Sequence, residues 1–190
     1  RRIKLYTVEH VPSRTAKQLG SSITKVIQSL YGRNGYIVNC VLMDLEFEKV
    51  KEVCPQVEFN TTGAREHVGE IERGIRTMKD RARTIAAELP FLILPKQIVI
   101  HLVYYAAMML NSFPATQGIS ERYSPRELVT GRGMVWGQSL PAFGFGTYVE
   151  ASHDHEITNT IELRTLAGIY LGPTGNIQGT KKVFDLRTGV

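Results

Sequence analysis

The sequence predicts an α/β domain over residues 1–135, followed by a small antiparallel β-module over residues 141–190. Three observations carry that reading. Strand-like and helix-like patterns alternate through residues 3–88, as in an α/β sheet. Two helical segments with clear start signals follow. Beyond Pro141 glycines become frequent, and short β-prone runs ("GTYVEA", "LAGIYLG", "KKVFDL") stand between polar turns, the pattern of a small barrel.

The elements follow in order. Ile3 to Val11 alternates and is β-prone, so it reads as a strand. Ser13 stands where a cap is needed for a helix in which Ala16, Leu19, Ile23, Val26 and Leu30 recur at spacings of three and four. Gly32 to Gly35 is a turn. Tyr36 to Met43, "YIVNCVLM", is a nearly continuous apolar run, typical of a buried strand. Glu46 to Val53 reads as a short helix that Pro55 ends, and Val57 to Asn60 as a short strand. A long helix is expected over Ala64 to Glu88, with Thr62 as its cap. Val68, Ile71, Ile75, Met78, Ala82 and Ile85 form its buried stripe. Pro90 and Pro95 break the chain before an apolar helix over 96–112. Its core, "IVIHLVYYAAMML", is too short to span a membrane and contains His101. "SPRELVTG" opens a further short helix, with Ser124 as cap and Pro125 at its first position.

Charge narrows the choice of partner. The net charge is +5. Residues 1–60 carry nine Lys+Arg against six Asp+Glu, residues 61–140 ten against seven, and residues 141–190 four against five. The basic surplus therefore lies in the first domain, which permits a polyanionic partner such as DNA. Two cysteines, Cys40 and Cys54, build neither a disulfide framework nor a zinc site, and they fit a reducing, intracellular compartment. Both ends break off within a pattern, so the chain is expected to be a piece of something longer.

Two acids draw notice. Asp44 ends the apolar run "VLMD"; Glu72 lies on the long helix and is followed on one face by Arg76, Lys79 and Arg83, at spacings of four, three and four. On residue types alone, Asp44 starts a helix and Glu72 pairs with Arg76. Brought together, however, two carboxylates of this kind could hold Mg²⁺, a hard cation that takes oxygen ligands. Two such ions serve phosphodiester chemistry. The cations beyond Glu72 would then lie where a DNA backbone runs.

Three stretches give this pattern a family likeness. "HVGEIERGIRTMKDRARTI" (67–85), "YYAAMMLNSFPATQGISERYSPRELVTGR" (104–132) and "GIYLGPTGNIQGTKKVFDLRTGV" (168–190) resemble, in that order, three segments of the integrase region of copia-type LTR retrotransposon polyproteins. These are the segment around the catalytic glutamate, the helix with its Asn-x-x-Pro turn and Ser-Pro-x-Glu-Leu motif, and the small β-module after the core. The resemblance implies an RNase H-like core and a DD(E)-type polynucleotidyl transferase that integrates element DNA ends into a target by two-metal strand transfer. Carried over by position, Glu72 matches the glutamate and Asp44 the second aspartate, both as ligands of Mg²⁺ (or Mn²⁺). Arg76 and Lys79 match helix positions that meet DNA, and Arg83, the third cation of the same stripe, is expected to bind DNA with them.

The likeness is incomplete. Leu45-Glu46 stands where the family has Asn-Gly, and only 27 residues separate Asp44 from Glu72. The chain opens at what reads as the third strand of the core, so the first aspartate is not among these residues. The expectation is thus an incomplete core, lacking its first strands, followed by a β-barrel cut at its C-terminus. Such a piece should be poorly stable and inactive alone. The resemblance further implies a homo-oligomer in the active assembly, a place in the nucleus or a virus-like particle, no membrane and no small-molecule cofactor. A second reading is a non-catalytic nucleic-acid-binding or polyprotein-interaction remnant.

Overall fold

The computed structural model describes residues 2–62, 69–135, 140–152, 161, 164–176 and 178–189. Four α-helices lie within them: α1 (Ala16–Val26), α2 (Gly69–Ala87), α3 (Lys96–Ser112) and α4 (Pro125–Thr130). The strands are β1 (Cys40–Asp44), β2 (Glu58–Thr62), β3 (Tyr148–Ser152), β4 (Thr165–Pro173) and β5 (Lys181–Asp185). β1 and β2 pair in parallel, with Asp44 opposite Thr62. β3, β4 and β5 form a separate antiparallel meander with β4 in the middle. The fold is therefore mixed α/β, as expected.

The main core sits between α3 and the meander. Ile98, Leu102 and Tyr105 recur at helical spacing on one face of α3 and meet Ile169, Tyr170, Leu171 and Phe184. A register shift between Tyr170 and Gly172 leaves Leu171 without a cross-strand partner, a β-bulge in the middle strand. The expected barrel is not found. β3 and β5 do not pair, and α3 covers the apolar face that a closed barrel would turn inward.

Where local signals were strong, the helices begin as expected. α3 starts directly after Pro95 and ends at Ser112. The hydroxyl of Ser124 accepts from the Glu127 amide, and the Glu127 carboxylate accepts from the Ser124 amide at 2.8 Å, a reciprocal capping box with Pro125 just inside. Gly131 closes α4 at φ +66, a left-handed position that glycine takes without strain. The Ser124 amide, with help from its hydroxyl, holds the Glu127 carboxyl below its usual pKa. A depressed carboxyl contributes stability above its unfolded pKa and loses it as pH falls through the folded one. Ser124 is fully buried. Ser124→Ala should therefore cost about 1–2 kcal/mol by urea unfolding at pH 7. Glu127→Gln should flatten the part of the urea midpoint's fall with acid that this carboxyl causes. A Ser124→Ala midpoint equal to wild type would refute the cap.

The N-terminal half departs from expectation. Residues 3–11 join no strand ladder. Side chains of α3 serve their backbone instead: Tyr6 donates to Asn111 Oδ1 (2.8 Å) and accepts from Asn111 Nδ2 (2.7 Å), and the His10 amide donates to the Tyr104 hydroxyl (2.9 Å). Thr15, not Ser13, caps α1; Ser13 binds the Gln18 side chain. The helix continues as a π turn over Ile27–Tyr31 and a 3₁₀ turn over Gly32–Asn34. The apolar run 36–43 forms a strand only from Cys40. That strand alternates between exposed and half-buried residues, and Ile37 ahead of it is 86% exposed. A 3₁₀ turn over Leu45–Val50 replaces the expected helix, and Val50, Cys54 and Gly20 close a small second core. The Cys54 thiol donates to the Gly20 carbonyl at 3.3 Å.

The stripe expected on α2 is only half buried. Met78, Ala82 and Ile85 are partly covered against α3, whereas Ile71 and Ile75 are exposed. Residues 64–68, including Val68, lie outside the described residues, as does the junction that Thr62 was expected to cap.

Candidate nucleic-acid interface

Asp44 stands at the exposed end of β1 with extended backbone angles (φ −70, ψ 153) and occupies the cap position of the following 3₁₀ turn. Its side chain makes no capping hydrogen bond there. Position makes it the first residue of the turn, but its carboxylate is not used to start it. Four residues away, Glu48 is occupied with Lys51 at 3.7 Å.

Glu72 lies in the first described turn of α2 and is exposed. On the same helix Arg76 and Lys79 are exposed, and neither pairs with a carboxylate among the described residues. Arg83, by contrast, is engaged: its guanidinium donates to Asp80 at 2.9 Å, three residues back. Of the three cations expected to meet DNA, two stand open and one is paired. Over its whole length α2 carries five Arg+Lys against three Asp+Glu.

The two acids stand on elements with different main neighbours. α2 packs chiefly on α3, while β1 packs on β2 and the 3₁₀ turn. Mg²⁺ needs six oxygens in near-octahedral order. Asp44 and Glu72 supply two carboxylates, and no group of three or more Asp, Glu, His or Cys that could hold a metal forms among the described residues. Mg²⁺ usually keeps several waters, so one or two carboxylates together with substrate phosphates suffice to hold it.

Two basic features were not foreseen. An open cleft of about 630 Å³ along α1 is lined by Lys17, Lys25 and Arg33, with Lys25 held by Glu9 at 2.9 Å. A smaller cleft of about 210 Å³ lies where α3, α4 and the β4–β5 turn meet, and it carries His101, Arg126 and Lys182. One sequence signal pointed toward Arg126: no acid stands at Thr130, four residues on, to pair with it along α4.

No protein-family model, no curated protein and no solved structure matches the chain. Among the described residues, no helix is long and apolar enough to cross a membrane.

Proposed function

We propose that the chain is a DNA-binding piece of a copia-type retrotransposon integrase, inactive by itself in strand transfer. One observation carries the DNA-binding part: α2 presents Arg76 and Lys79 exposed on one helix face, with no ion pair to either among the described residues. Exposed cations at three- and four-residue spacing track a phosphate backbone and add a salt-dependent, sequence-independent affinity. The parallel β1–β2 pair leading into a long helix, with a three-stranded antiparallel sheet at the C-terminal end, is compatible with the segment order of that family. In this reading Asp44 and Glu72 are two of three carboxylates for Mg²⁺ or Mn²⁺, and the third belongs to a strand upstream of residue 3. The active form would be a homo-oligomer on element ends and target DNA, in the nucleus or a virus-like particle.

The test is binding of a fluorescent DNA duplex across a salt series. Each lost phosphate contact lowers the slope of log K against log[salt] by about 0.9. Arg76→Ala with Lys79→Ala should therefore reduce the slope by about 1.8, while Arg83→Ala, whose guanidinium is already paired, should change it by well under about 0.9. No salt-dependent binding, or a slope indifferent to Arg76 and Lys79, would refute the interface. Extending the chain upstream decides the catalytic part: strand transfer should then require Mg²⁺ and vanish in Glu72→Gln.

A further inference from the structure

We infer that the cleft between α3, α4 and the β4–β5 turn binds a phosphate group, with Arg126 and Lys182 as its cationic partners and the His101 ring as a hydrogen-bond donor beside them. The site stands whether or not the chain acts on DNA.

The charges in the cleft are all of one sign. Arg126 is half-buried on α4, and no carboxylate pairs with it among the described residues. A guanidinium removed from water with no counter-charge is unfavourable unless an anion joins it. Burial, with Arg132 nearby, pushes its pKa below the ordinary arginine value. His101 is half-buried on α3, and burial together with the Lys182 ammonium depresses its pKa. That coupling brings Lys182 of β5 to the same spot. Among the described residues, no Asp or Glu lines the cleft. The acid next to Arg126 in sequence, Glu127, is committed to the Ser124 amide.

The turn is shaped to approach these groups. Gly172 sits at φ +125, and a Cβ there would come within 3.2 Å of Tyr105 Cδ2. Gly175 sits at φ +82, and a Cβ there would lie 4.0 Å from Arg126 Nη2. The two glycines let the β4–β5 backbone lie against α3 and α4 without filling the space between them. Thr174 fixes the turn by donating its amide to the Thr180 carbonyl at 2.9 Å. The cleft is therefore a concave pocket in which a planar guanidinium fork, an ammonium and an imidazole converge from three elements. That donor set matches a phosphate: the fork can bind two oxygens and the ammonium adds a point charge.

The experiment is a titration of the full chain with inorganic phosphate, followed by NMR at the His101 ring and the Gly172 and Gly175 amides. Sodium chloride at matched ionic strength is the control. Saturable shifts with phosphate alone are expected. Arg126→Lys, which keeps the charge but loses the fork, and Lys182→Ala, an exposed site, should each weaken binding by about tenfold while the circular dichroism spectrum is kept. Identical responses to phosphate and chloride would overturn the site, as would wild-type phosphate affinity in both folded variants. A short 5′-hydroxyl thymidine oligonucleotide then identifies the source. If it displaces phosphate, the cleft takes a nucleic-acid phosphodiester; if it does not, the cleft takes free phosphate or a phosphomonoester.

Discussion

In native-state hydrogen exchange, the Glu58 amide should exchange at least roughly a thousandfold faster than the Tyr170 amide, once each is corrected for intrinsic rate. Both amides are hydrogen-bonded: Glu58 donates to the Asn39 carbonyl at 3.2 Å and Tyr170 to the Thr147 carbonyl at 2.8 Å. The difference lies in what must open to release them. Tyr170 is on the central strand of three, against α3, so its release requires the main core to come apart. Glu58 is on one of only two strands, and its neighbours across the pair are exposed at Cys40 and Leu42. A two-stranded pair with one face exposed and the other only half-buried is marginal in water. A gap of about 4 kcal/mol between local and global opening yields the thousandfold ratio. Equal protection at both amides would mean one cooperative unit and would refute the argument.

That instability bears directly on Asp44. A metal ligand works when its own position is locked before the ion arrives. Asp44 sits at the end of a strand that has one edge unpaired among the described residues. A strand added beside β1 would stiffen that edge and fix the carboxylate in the same step.

What was legible in the sequence was what is decided locally. The bounds of α3 and α4 follow from Pro95, from the Ser124-Pro125-x-Glu127 box and from Gly131, all of which act within one helical turn. Strand status is not decided locally. Ile3 to Val11 has the composition of a strand, but a strand exists only where a second one offers its backbone, and here Asn111 and Tyr104 serve these groups instead. The run 36–43 was read as buried from its apolar content, yet burial depends on what lies above it, and Ile37 has nothing there. The three strands of the C-terminal module were visible, but closure was not, because α3 supplies the cover that closure would have supplied. Asp44 and Glu72 stood out by residue type, while the elements each packs beside, β2 for Asp44 and α3 for Glu72, depend on contacts far apart in sequence. The phosphate cleft was hidden for the same reason: His101, Arg126 and Lys182 are scattered along the chain and meet only in the fold.

Tyr170→Phe should leave stability unchanged or raise it by about 1 kcal/mol, whereas Tyr170→Ala should cost about 3–5 kcal/mol. The ring is 1% exposed and packs edge-on against Phe143, with centroids 5.6 Å apart. Removing it opens a cavity at the centre of the only large core the described residues build. The hydroxyl is a different matter. It is buried and finds no hydrogen-bond partner among the described residues. Burial, with Tyr105 nearby, pushes its pKa up to about 12. An unsatisfied buried hydroxyl costs about 1–3 kcal/mol, so deleting it while keeping the ring removes a penalty and no contact. Urea unfolding of the two variants separates the ring from its oxygen. A Phe variant less stable than wild type by more than about 1 kcal/mol would mean that the hydroxyl is satisfied after all, by a buried water or a group outside the described residues. In that case the junction of β4 with α3 would be partly polar. The phosphate cleft, which shares Tyr105 and Leu171 with this core, would then have a wet floor beneath it.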